Sequence, residues 1–300
     1  TMTAVAVLGV GVCCPLGSDL AQLVAALDAG TSALAPHPPL ANLPTGDLAG
    51  VVAKPDLKPW LRRRKDRKIM ARASELALAA AGPASVGSTA PVADIGVFIG
   101  VGRERPDDGD SEAALAASAL NGRLDDDLLA GPGRDRYPPL LPLKTLPNMV
   151  LAHISINLGY MGENGAWAGE GAAGLRALVA AVQAVSEGRC PEAMAGGADS
   201  LVGLGNARDR LRMGASGPPG EGAAVLRLGP LGSPGTLAVL DIDPGAATDL
   251  QWRPLLGDLG AAAGVFEVAI LVASGRSGRV VLADPGEPPV GIAVRSAEAC

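Results

Sequence analysis

Three hundred residues, 48% hydrophobic and 19% charged, give ample chain to bury a core and too little charge for a disordered protein. Only 2% are aromatic, so Ala, Val and Leu must fill the interior, which suits close helix-on-sheet packing in a layered α/β protein. The net charge of −6 argues mildly against nucleic acid as the main partner, and the apolar runs are too short to span a membrane.

The four cysteines, Cys13, Cys14, Cys190 and Cys300, form no C-x-x-C pair and no metal-ligand spacing. Adjacent Cys13 and Cys14 cannot readily bridge to each other, so a reduced, cytoplasmic protein without a metal is expected. Residues 4–14 are apolar but lack a basic leader region and a clear cleavage site, so no signal peptide is expected; Thr1 ahead of Met2 reads as an addition to a natural start.

In chain order, residues 4–12 (AVAVLGVGV) read as a buried strand. Gly9 and Gly11 share the G-x-G spacing of dinucleotide sites, but position 14 is Cys, and such partial matches usually mark only a tight turn after a strand. Ser18 is the expected cap of a helix over 19–29. Residues 30–58 form a surface loop, with room for a short strand at 50–53. The basic run WLRRRKDRKIM (60–70) offers Arg62, Arg63, Arg64, Lys65, Arg67 and Lys68 to an acidic partner, although charge runs more often simply face water. A helix over 71–81 and a strand over 94–102 follow. Arg103 to Tyr137 is acidic and glycine-rich, with Asp107, Asp108, Asp110 and residues 125–127, but lacks the ligand order of a calcium loop; it reads as a mobile insertion.

The stretch PNMVLAHISINLGYMGENGAWAGEGAAGLRALVAAVQAV (147–185) predicts a short helix, a turn, a strand ending near Ala168, a tight Gly169-Glu170-Gly171 bend and a long apolar helix. A strand that bends sharply into a helix is where many enzymes mount a nucleophile, because the helix start offers free N–H groups and partial positive charge. No Ser, Cys or Thr stands at this bend. Residues 192–199 (EAMAGGAD) then read as a strand closing on a Gly-Gly turn, and 203–222 as a connection. Strands at 223–228 and 235–242, a helix over 259–272 and strands at 279–283 and 290–294 complete the chain.

These pieces resemble, in order, the condensing enzymes of the thiolase fold, namely the β-ketoacyl-acyl carrier protein synthases and their chain-length-factor relatives. The resemblance rests on AVAVLGVGVCCPLGSDLAQLVAALDAGTSAL, ARASELALAAA, PNMVLAHISINLGYMG, EAMAGGADSLV, GEGAAVLRL and LGDLGAAAGVFEVAILV. It implies an α/β, layered αβαβα fold with two related halves, residues 1–230 and a truncated 231–300, the first carrying the 103–137 insertion. It also places Gly171 where the family has its nucleophilic cysteine, Asp258 where it has a catalytic histidine, and Arg253 at the upstream lysine. The family's His-Gly-Thr turn has no counterpart, and residues 285–290 (PGEPPV) stand where a Gly-Phe-Gly-Gly loop would close the site. No catalytic residue and no cofactor are therefore expected. The two histidines give no relay: His37 lies in a Pro-rich loop, and His153 reads as a structural residue of the helix before the bend. Cys190, with Arg189 beside it to lower its pKa slightly, has no base partner and reads as inert, and Glu170 reads as a plug rather than a lone base.

The resemblance implies a catalytically inactive subunit that pairs with a protein partner. In this fold the strand before the nucleophile pairs with its mate across a two-fold axis, here about Gly165, Ala166, Trp167 and Ala168. The expected partner is an active ketosynthase-like subunit, in a heterodimer, or a second copy, with an acyl carrier protein as a further partner, in acyl or polyketide assembly. The alternative is a thiolase-like scaffold or chaperone-like accessory protein, for instance of a secretion cluster, with no part in acyl chemistry. An active hydrolase or transferase would need a nucleophile–base pair that the sequence does not show.

Overall fold

The computed structural model describes residues 4–44, 46–103, 109, 111–243, 245, 248, 250 and 252–297. Thr1, Met2, Asp107, Asp108, Asp110 and Cys300 lie outside the described residues.

Among the described residues, eight strands form one mixed sheet. They are β1 (Val5–Cys13), β2 (Gly96–Val101), β3 (Asn164–Ala168), β4 (Ala193–Ser200), β5 (Glu221–Gly229), β6 (Ala238–Ile242), β7 (Gly278–Leu282) and β8 (Val290–Ser296), in the spatial order β7-β8-β6-β1-β5-β4-β2-β3. Only the β2–β3 and β2–β4 pairs are parallel; the other five are antiparallel. The main helices are α1 (Leu20–Asp28), α2 (Arg72–Ser85), α3 (Asn148–Leu158), α4 (Ala173–Ser186), α5 (Leu204–Arg212) and α6 (Ala263–Ala273).

Hydrophobic periodicity sets the layers. Helices α4 and α6 are apolar nearly all round, and each touches strands of both the β1–β5 and the β6–β8 wings, so they lie between them. The shared core joins Leu175, Leu178 and Val182 of α4, Val265, Phe266 and Ala269 of α6, and Leu226, Leu240, Ile292 and Val294 of the strands. Helices α2 and α3 cover the opposite face of the first wing through Leu76, Ala80, Val150 and Ile154. The thiolase-like layering expected from the sequence is thus present.

Several local expectations are corrected. Gly196-Gly197 is no turn but lies inside β4, where a Cβ would sit 2.2 Å from the Ala224 carbonyl oxygen and 2.4 Å from that of Ala261. Gly9 and Gly11 likewise lie inside β1, pressed against the backbone of α2 at Ala84 and Ala80. The glycines serve close backbone approach. The cap of α1 is Asp19, whose Oδ1 accepts from the Gln22 N–H at 2.8 Å, rather than Ser18. The short strands of the 30–58 region are Leu34–Pro36 and Leu48–Gly50, not 50–53. Beyond Gly50 the backbone of Val52 is held by side chains: its N–H donates to Glu221 and its carbonyl accepts from Arg72. Residues 203–222 contain α5, which no side-chain cap announces. The described part of the 103–137 insertion is structured, with a helix Glu112–Ala117 and a hairpin, Ala119–Leu120 with Arg123–Leu124, turning at Asn121-Gly122 with both φ positive.

Candidate functional site

The elbow forms where β3 ends against β2. The Gly169 N–H donates to the Val101 carbonyl at 3.0 Å, the chain bends, and α4 starts at Ala173. Asp284, two residues beyond β7, reaches this bend. One carboxylate oxygen accepts from the Glu170 N–H at 3.2 Å and the other from the Ala172 N–H at 3.0 Å. Gly171 stands between those two amides. A Cβ there would meet only Leu282 Cδ1, at 3.8 Å, so the position has space for a side chain that the sequence does not supply.

A second cluster gathers beside the elbow. Asp258 accepts from Arg210 at 2.8 Å and from the Gly260 N–H at 3.1 Å, and Arg253 approaches its other side at 3.7 Å. The two positions that the sequence pairs, Arg253 and Asp258, are therefore brought together. Asp199, at the end of β4, is buried; its oxygens accept from the Ser200 N–H at 2.8 Å and the Ala261 N–H at 3.0 Å. Burial pushes its carboxyl up to about 7, against the lowering pull of those two amides, with the Asp258 charge adding to the rise and Arg210 opposing it. Asp199, Asp258, Arg210, Glu170, Gly169 and Arg103 share the wall of a cavity of about 490 Å³ with Asn206, Asp209, Met213 and Pro285. Among the described residues no Ser, Thr, Cys, His, Lys or Tyr lines it.

The remaining candidates lie elsewhere. His153 is buried in α3, hydrogen-bonded to the backbone of Ile69, and burial lowers its pKa. Cys13 and Cys14 are buried thiols pushed up to about 12. At Cys190 the expected lowering by Arg189 is outweighed: burial raises the thiol, and Arg189 itself pairs with Glu163 and Glu187. In the basic run, a 3-10 turn over Arg64–Ile69, Arg63 pairs with Asp66 at 3.2 Å and Arg67 with Glu75 at 2.6 Å. Arg62, Arg64, Lys65 and Lys68 are exposed and make no ion pair among the described residues. Gly165, Ala166, Trp167 and Ala168 lie on β3, the outermost strand beside β2, with Ala166 and Ala168 exposed.

Sequence reading missed Asp199, Arg210 and Asp284. Asp199 carried a signal, since an acidic residue closing an otherwise apolar strand is costly unless bonded. Asp284 carried none, because its partners lie 112 and 114 residues away.

The family model "Beta-ketoacyl synthase, N-terminal domain" matches residues 2–226. Solved structures of the same fold include a type II PKS acyl-carrier protein in complex with its ketosynthase bound to the hexaketide (TM-score 0.73, 14% identity, covering 98% of this chain and 99% of that one). The ishigamide ketosynthase/chain length factor is similar as well (TM-score 0.69, 19% identity, 97% and 98%). So is a β-ketoacyl synthase from Burkholderia phymatum STM815 (TM-score 0.72, 15% identity, 98% and 99%). No curated protein matches the chain. At these identities the structures speak for the fold, and the family match spans three quarters of the residues: the chain belongs to the β-ketoacyl synthase family.

Proposed function

We propose that the chain is a catalytically inactive ketosynthase-like subunit that acts by pairing through β3 with an active ketosynthase-like partner in acyl or polyketide assembly. One observation carries this reading: the elbow keeps its backbone and its helix start, while position 171 holds no nucleophile. On this reading Gly171, Asp258 and Arg253 stand where the family has its cysteine, histidine and lysine. The Asp258 carboxylate, already paired with Arg210, cannot donate as an imidazole would. Exposed apolar side chains support pairing, since Leu115, Leu120, Leu124, Leu140, Ile156 and Met161 are each more than 45% exposed and lie in or near the segment leading to β3. The four exposed cations of the basic run, which make no ion pair among the described residues, suit an acidic carrier protein, and the ishigamide relative is itself a ketosynthase/chain length factor. Residues 1–230 would form the pairing half and 231–300 the shortened second half. Three buried free thiols suit a reducing cytoplasm.

Co-expression with a neighbouring ketosynthase, followed by gel filtration and a labelled acyl-thioester assay, tests this. A stable heterodimer that makes acyl chains, with no label on this chain, is the expected outcome. Covalent label here would overturn the inactive reading. A homodimer that ignores carriers and holds an unrelated client would favour the scaffold alternative, which the closure of the elbow by Asp284 also suits.

A further inference from the structure

Away from the elbow, a smaller cavity of about 210 Å³ opens between the end of α1, the short helix Arg253–Leu256 and α6. It shares no residue with the elbow cavity. Its apolar walls are Leu27, Leu255, Ile270 and Leu271. Two polar groups stand among them. Trp252 is 3% exposed and packs edge-on against Phe266, yet its indole N–H has no hydrogen-bond partner among the described residues. Glu267 is the one charged residue of α6, and it is half-buried. Burial raises its carboxyl, while the nearby Trp252 N–H and the Arg276 charge oppose that rise. The indole is close to the carboxylate but falls short of a hydrogen bond to it. At the rim, Arg276 pairs with Asp28 at 3.6 Å, and both side chains are more than half exposed.

A donor and a carboxylate that a fold buries without joining are costly unless something else joins them. One water could bridge the two, but the cavity has room for about seven at about 30 Å³ each, and its leucine and isoleucine walls give water no partner. The occupant must therefore bring an acceptor to Trp252, a donor to Glu267 and an aliphatic body to the walls. A bare ammonium would leave the indole N–H unpaired, and a bare carboxylate would face Glu267. A molecule carrying both charges side by side satisfies each, and Arg276 and Asp28 repeat the same alternation of sign at the rim. We infer that this cavity binds a small aliphatic α-amino acid, its ammonium on Glu267, its carboxylate on the Trp252 N–H and Arg276, and its side chain against the apolar walls. The site is independent of how the chain pairs.

Titration of the full chain with L-valine, followed through the indole N–H signals of its three tryptophans by two-dimensional NMR, tests this. Trp252→Phe identifies the Trp252 signal. That signal should move and saturate with a Kd of about 0.1–1 mM, while those of Trp60 and Trp167 stay in place. Isobutylamine, isovalerate and isovaleramide keep the aliphatic body but lack one charge or both, and each should bind at least about tenfold more weakly. Glu267→Gln should weaken valine by at least about tenfold, and Arg276→Ala, at the exposed rim where folding is not at stake, by about threefold or more. A Trp252 signal that stays still at about 20 mM valine would overturn the site. Isovaleramide binding as tightly as valine would overturn the zwitterion, and unchanged valine affinity in either variant would overturn the contacts assigned to it.

Discussion

The outer edge of β3 and the elbow that follows it present backbone groups under opposite conditions. On β3 the ladder to β2 occupies one side only, and the residues Asn164 to Ala168 carry no Lys, Glu or Pro to guard the other. A few residues on, the amides of Glu170 and Ala172 are covered by Asp284, and the corner beyond is filled by the Asp258, Arg210 and Arg253 charges. The difference teaches what each feature demands of the chain: an open edge needs only strand geometry, whereas a working elbow needs several side chains from distant elements at once.

The largest effect should come from spoiling the open edge. Ala166→Asp places a charge where a dry strand pairing would form, and an unpaired buried carboxylate costs several kcal/mol. Association should weaken by about a thousandfold, roughly 4 kcal/mol, as read by analytical ultracentrifugation of the complex. The Tm of the isolated chain should hardly move, because Ala166 is exposed there. Unchanged association would remove β3 from the interface.

The closed corner should answer differently, through stability. Asp258→Ala strands Arg210, whose side chain is only 9% exposed, and should cost about 3 kcal/mol in denaturant unfolding with association intact. Next in size is a pH effect at Asp199, whose carboxyl rises from 3.8 to about 7 on folding. Between those values the native state keeps a proton that the unfolded chain has released. This group's contribution is therefore full below about pH 4, declines as pH rises, and is lost above about pH 7. The stability difference between the native chain and Asp199→Ala should accordingly shrink from pH 5 to pH 7, by at most about 1.4 kcal/mol per unit. A flat difference would mean that Asp199 is ionised throughout.

How much of this was legible in the sequence follows from range. The Val-rich β1, the apolar α4 and the β3–elbow–α4 order come from local periodicity, which a sequence displays directly. The hairpin at Asn121-Gly122 was legible too, since both residues tolerate positive φ, yet the acidic composition around it suggests mobility instead. The Gly196-Gly197 pair misleads because glycine usually marks a turn, and only the tertiary fold brings the Ala224 and Ala261 backbones against it. The closure of the elbow was beyond reach: Asp284 and Arg176 act across more than a hundred residues, and no spacing rule joins them.

The smallest effects separate two kinds of charge within the basic run. Arg64, Lys65 and Lys68 project to solvent without ion pairs among the described residues, so their fields are free to act on an incoming acidic protein. Reversing any one to Glu should weaken carrier binding by about two- to fivefold, and the loss should fade as salt screens it. Arg67 is already spoken for, by two hydrogen bonds to Glu75 at 2.6 and 3.0 Å. Arg67→Ala should therefore leave carrier affinity nearly unchanged and lower stability by about 1 kcal/mol, since it strips Glu75 of a partner at the foot of α2. Titration of an acidic carrier protein at two salt concentrations, beside thermal unfolding of each variant, reads both quantities. If Arg67→Ala weakened the carrier as much as Lys65→Glu, net charge alone would govern the run. If neither changed affinity, the run would be a solvated face and β3 the only contact left to carry the proposed partnership.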